Sequence, residues 1–255
     1  MKKTLLMIVI LSLFLGLTGC DEPEITNNEM VLVESGTTTV ENGNITTSED
    51  FYIGKYHVTQ SEFKEVMEFN PSSFSGFLIS TNPDNPVENV TWYDAVKYCN
   101  ELSKEEGLDK YYDISDIEYD GDNIMSAKVK ENDEADGYRL PTETEHEYAA
   151  RGGTYGEPTT FAGSDDMDQV GWYNNNSNDK TQPVGKKEAN ELSLYDFSGN
   201  VWDWTNSSYD AEDYNKITRG GSWIGSKYDC EVEKSYNGSS STANNVRGFR
   251  IARDS

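Results

Sequence analysis

Arg219-Gly220-Gly221-Ser222-Trp223 and Gly248-Phe249-Arg250 bracket a stretch, Ile224 to Arg247, that contains a thiol, Cys230. A thiolate is a nucleophile and a soft metal ligand. Covalent or redox chemistry in this chain would therefore rest on Cys230. Two plainer readings compete with it. Cys230 reads equally as a small buried hydrophobe carrying a free thiol, or as a partner for Cys99, although nothing in the spacing indicates that pairing. The same stretch offers Trp223, Ile224, Ser226, Lys227, Tyr228, Asp229, Tyr236 and Asn237. Rigid aromatics mixed with adaptable polar groups are what binding surfaces use. The bracket is thus either a catalytic pocket or a ligand-binding surface.

Other chemistry-bearing side chains are sparse. His57 and His146 are the only histidines. One falls on an expected strand and the other on an expected helix, without a neighbouring histidine. Both read as packing or surface residues rather than metal ligands. Glu143 and Glu147 share a helix face at i and i+4, and Glu145 does not. They read as helix-start charge or core-facing hydrogen bonding, not as an acid–base pair.

The elements that would position these residues are short. Met30-Val31-Leu32-Val33 and Phe51 to Thr59 read as strands. Thr59 with Glu62 makes a capping-box pattern ahead of a helix from Gln60 to about Phe69. Thr91 precedes a second helix in which Ala95, Tyr98, Cys99 and Leu102 recur at helical spacing, ending at Gly107. Tyr111 to Lys128 reads as a hairpin turning at Gly121. Thr142 caps a helical run that Gly152 terminates. The pattern predicts an α+β fold with short strands, two main helices and long loops, not a doubly wound parallel sheet.

Lys2 and Lys3 precede an apolar run from Leu5 to Leu17, followed by Leu17-Thr18-Gly19-Cys20. A basic start, a short apolar run and small residues describe a secretory signal. The run is shorter than the ~20 residues a membrane span needs. Its ending resembles a bacterial lipobox, which implies cleavage before Cys20, lipidation of that thiol and anchorage of an exported domain to a bacterial membrane. Residues 1–19 are then signal, 20–28 a polar tether and 29–255 one domain. With 21 basic against 46 acidic side chains the net charge is −25, which argues against nucleic-acid binding. Sixteen Tyr, nine Phe and five Trp supply bulky core and interface groups.

Six blocks in consistent order resemble the formylglycine-generating enzyme (sulfatase-modifying factor) family. They are Gly54-Lys55-Tyr56-His57-Val58-Thr59, Pro86-Val87-Glu88-Asn89-Val90-Thr91-Trp92, Tyr138-Arg139-Leu140-Pro141-Thr142-Glu143, Gly199-Asn200-Val201-Trp202-Asp203-Trp204, the Arg-Gly-Gly-Ser-Trp block, and Gly248-Phe249-Arg250. The resemblance implies a C-type-lectin-like fold and, in an active member, oxidation of a substrate cysteine to formylglycine with oxygen and copper. It places a pair of copper-binding cysteines at positions 225 and 230. Here the first is Gly225. One thiolate cannot make a two-sulfur site, so copper is not expected. Cys230, Ser222 and Trp202 match residues of the family's catalytic pocket. A structural calcium ion is implied at the side chains of Asp196 and Asp203 and the carbonyls of Gly199 and Val201, a donor set that suits a hard cation. The C-terminal arrangement is also similar to the variable proteins of diversity-generating retroelements, which display a binding patch ahead of a terminal Gly-Phe-Arg. Two functions follow: non-catalytic binding of a protein or small ligand through 223–247, or a formylglycine-generating oxidoreductase. Gly225 favours the first.

Overall fold

The computed structural model describes residues 29–40, 43–75 and 82–255. Cys20, the signal and the tether lie outside them. The expected helix starts form. Thr59, Thr91 and Thr142 each accept from the backbone three residues on, and Glu62, Asp94 and Glu145 each reach back to the cap residue. Each such cap is worth about 1 kcal/mol. Helix α1 spans Gln60–Met67, α2 Trp92–Glu105, α3 Glu143–Ala150 and α4 Met167–Val170. The described residues hold four α-helices, and only α2 exceeds eight residues.

Two small sheets carry the architecture. Strand β1 (Met30–Val33) and strand β11 (Ala252–Asp254) flank β4 (Phe51–Gly54), both antiparallel to it. The run expected to be a strand through Thr59 leaves the sheet at Gly54, so His57 sits beyond the strand. The second sheet has the order β10-β7-β8-β9, formed by Arg247–Gly248, Trp202–Ser208, Asn215–Arg219 and Ser235–Ser239. Its β10–β7 pair is parallel, with Arg247 beside Trp202. Two hairpins complete the described strands, β2–β3 (Gly36–Val40, Gly43–Thr47) and β5–β6 (Tyr112–Asp120, Asn123–Glu131).

The core fills the space between these layers. Ala95, Tyr98, Cys99 and Leu102 of α2 are buried with Phe63, Trp92, Trp204 and Phe249. Phe249 packs edge-on against both Phe63 and Tyr98. Asp94 does more than cap α2. It also accepts from the backbone of Ile124 and the side chain of Asn123, tying the β5–β6 hairpin to the helix. A second cluster joins Phe51, Ile53, Tyr148 and Phe197, and a third joins Phe161, Met167, Val170, Tyr173 and Cys230.

Candidate functional site

The bracket begins on a turn that only glycine makes comfortably. Gly220 and Gly221 have φ of 95° and 86°, in the left-handed region that side chains disfavour. A Cβ at Gly221 would also come within 2.4 Å of Cys230 Sγ. The turn therefore brings the backbone against the thiol. Cys230 is fully buried among Phe161, Met167, Val170 and Tyr173. Burial, reinforced by nearby Asp229, pushes the thiol up to about 12, so it stays protonated and weakly nucleophilic at neutral pH. Cys99 is also buried, belongs to a different cluster, and is free, as is Cys230.

The copper site implied by the family does not fit these residues. At position 225 there is no sulfur, and a Cβ there would fit tightly, 3.3 Å from Ser222 O and 3.4 Å from Asp229 Cβ. Ser222 is buried. Trp202 is half-buried and packs edge-on against Tyr236, ring centroids 4.9 Å apart.

The outer side of the loop is built differently. Ser226 opens a short 3-10 turn, Lys227–Cys230, in which Asp229 accepts from the Ser226 backbone at 2.8 Å and its hydroxyl at 2.7 Å. Tyr236 OH donates to the other oxygen of Asp229 at 2.9 Å. Burial opposes ionisation of Asp229, but these hydrogen bonds outweigh it and hold the carboxyl below its usual range. Ser226 and Asp229 thus brace the loop. Trp223, expected at the surface, is buried. It packs edge-on against Phe74, and its Nε1 donates to Asn245 O at 2.8 Å. What remains outward is Ile224, Tyr228 and Tyr236, exposed by 57%, 64% and 50%, with Lys227 and Asn237. Lys227 Nζ lies over the Tyr228 ring at 5.3 Å.

The two histidines, expected to be unrelated, converge on one carboxylate. Asp203 is buried between His146 Nε2 at 2.9 Å, His57 Nε2 at 3.4 Å and Arg250 Nε at 2.7 Å. Burial disfavours its charge, yet Arg250 and the histidines overcome that and hold it well below the carboxylate range. The same burial lowers His146 to about 4. Its ring is therefore neutral near pH 7, with Nε2 donating to the acceptor-only carboxylate. Arg250 extends the network to Gly54 O and Tyr195 O, both at 3.1 Å, and lies over Phe197 at 3.6 Å.

These contacts involve two of the side chains expected from the sequence to bind calcium. Oδ2 of Asp203 is shared by the Arg250 guanidinium and His146, and Oδ1 faces His57 Nε2 at 3.4 Å without a hydrogen bond. Asp196 accepts from Gly185 N at 2.7 Å and shares its surroundings with His57, Arg250 and Asp203. Among the described residues no group of three or more His, Cys, Asp or Glu is placed to hold a metal ion. Of the expected calcium donors, Asp203 is already neutralised by Arg250.

The sulfatase-modifying factor enzyme 1-like domain matches residues 18–255, and the chain belongs to that family. Among its relatives, the chaperone protein LppX of Paenibacillus barcinonensis is 39% identical over 91% of this chain and 92% of its own. The inactive C-alpha-formylglycine-generating enzyme 2 of Bos taurus is 33% identical over 46% of this chain and 44% of its own. Among solved structures, Treponema denticola variable protein 1 is similar, with a TM-score of 0.74 and 30% identity over 89% of this chain and 95% of its own. The fold is the α+β, C-type-lectin-like arrangement that the sequence blocks imply.

Proposed function

We propose that this chain is an exported protein, lipid-anchored through Cys20, that binds another polypeptide without catalysing a reaction on it. One observation carries the reading. Where the family's chemistry needs two available thiols, this chain has Gly225 and a buried, protonated Cys230, while the outer side of the same loop presents Ile224, Tyr228 and Tyr236. Exposed aromatic and aliphatic groups on a braced loop suit capture of a partner's apolar segments. The relative named a chaperone and the relative named inactive support a polypeptide ligand and the loss of oxidation, respectively.

The test pairs two assays on the purified mature protein. Aggregation of a partly unfolded exported enzyme is followed by light scattering with wild type and with Tyr228→Ala/Tyr236→Ala. The double variant should melt like wild type and protect less. A sulfatase-type cysteine peptide is then incubated with the protein, Cu(I) and oxygen. Formylglycine in its mass spectrum would overturn the non-catalytic reading, and undiminished protection by the double variant would overturn the surface.

A further inference from the structure

Arg247 closes the bracket, and among the described residues its guanidinium lacks the counter-ion that most of its counterparts have. Arg139, Arg151, Arg219 and Arg250 each pair with a carboxylate. Arg253 has no ion pair among the described residues, but it lies over Tyr52 and Tyr138 beside the other sheet. Arg247 is half-buried, and burial alone perturbs it, without any carboxylate to offset the cost. Its Nε is buried without a hydrogen-bond partner. Nη2 makes one contact, to Asn237 O at 3.3 Å. In a chain of net charge −25, a half-buried guanidinium without an acid beside it is costly unless something else neutralises it.

Its position is constructed. Trp202 and Trp204 alternate onto one face of β7, and Tyr236 and Gly238 onto the matching face of β9. Arg247 reaches across that face, with Cζ 5.0 Å from the Trp204 ring centroid. It ends flat against Gly238, where a Cβ would stand 2.5 Å from Cζ. The missing side chain at 238 is what makes the slot. The edge-on Trp202–Tyr236 pair lies on the same face.

We propose that Arg247, with Trp202 and Tyr236, forms a site for a carboxylate attached to a flat or apolar group, as at an acidic side chain or chain end of a bound polypeptide. A guanidinium fork matches a carboxylate in two hydrogen bonds. The aromatic pair takes the adjoining apolar part. The acidic surface penalises multiply charged anions more than a single carboxylate. This inference rests on the polypeptide-binding reading and names the chemistry its surface recognises.

N-acetylphenylalanine and its amide are titrated by calorimetry into the intact protein. The carboxylate should bind roughly tenfold more tightly than the amide, the scale of one charge-assisted hydrogen bond. Arg247→Gln should remove that preference, and Gly238→Ala, which crowds the slot, should weaken it. Trp202→Ala should weaken both probes alike. Equal binding of acid and amide to wild type overturns the proposal without recourse to any variant. So does a preference that survives Arg247→Gln, or displacement by inorganic phosphate at equal concentration. The failures are separable: protection that still depends on Tyr228 and Tyr236 with no acid–amide difference defeats only the carboxylate site. Protection indifferent to those tyrosines defeats the binding surface while leaving the preference at Arg247 measurable.

Discussion

Two buried groups should tilt stability with pH in opposite directions, and replacing either one should expose the other. His146 is lowered to about 4 by burial despite its bond to Asp203. Glu88 is raised to about 7 by burial, although its carboxylate accepts from the backbone of Phe74 at 2.8 Å. At pH 5.5 the unfolded chain carries a proton on this histidine and not on this glutamate, and the folded chain does the reverse. The two contributions cancel in the wild-type slope. Stability changes by about 1.4 kcal/mol per pH unit for each proton by which the two states differ. In His146→Gln only Glu88 remains. Its burial disfavours the folded state at high pH, so stability relative to wild type should rise as pH falls, by up to about 1.4 kcal/mol per unit between pH 6.5 and 4.5. In Glu88→Gln only His146 remains. The unfolded state then binds the extra proton, and relative stability should fall by the same amount over that window. Urea unfolding followed by circular dichroism at pH 4.5, 5.5 and 6.5 gives the slopes, and differences from wild type remove the background of other titrating groups. Parallel profiles for all three proteins would refute the reasoning.

Three further outcomes follow from the same contacts. Asp203→Asn leaves Arg250 charged and buried without a carboxylate, and should cost about 3–5 kcal/mol in the same urea assay. Cys99 and Cys230 are buried and raised in pKa, so a thiol reagent at pH 8 should modify neither in the native protein and both after denaturation. Gly225→Cys places its Cβ 3.3 Å from Ser222 O, a crowding that a backbone shift of a few tenths of an ångström relieves, and the variant should fold. Cu(I) uptake, measured by competition with a chromogenic chelator, should exceed wild type, and unchanged uptake would mean that the loop cannot bring two thiols together.

Local features were legible in the sequence because local chemistry dictates them. Thr59, Thr91 and Thr142 each had their acidic partner three residues away, and each cap formed. Gly121, read as the hairpin turn, has φ of 62°. The core face of α2 followed from spacing alone. The site was less legible because its contacts are distant. His57 and His146 reach Asp203 across 146 and 57 positions of chain, and no periodicity encodes that meeting. Trp223 looked like a contact residue because the block around it is polar, but Phe74 and Asn245 cover it from elsewhere. Arg247 carried no signal at all, since its isolation depends on which acids fail to approach it. The calcium donors read well as a spacing, and the neighbours of Asp203 could not be foreseen from it.

Strand β4 has its partner β11 about 200 positions downstream, and Arg250 spans a separation of 196 residues to reach Gly54. Until residues 247–254 arrive, β4 has β1 on one edge but lacks its second neighbour, Phe63 and Tyr98 lack Phe249, and Asp203 lacks its guanidinium. A nascent chain of this design stays open through most of its synthesis, because loop closure over such distances comes late. Under the exported reading proposed above, this long delay would keep the growing chain in a form that a translocation channel accepts.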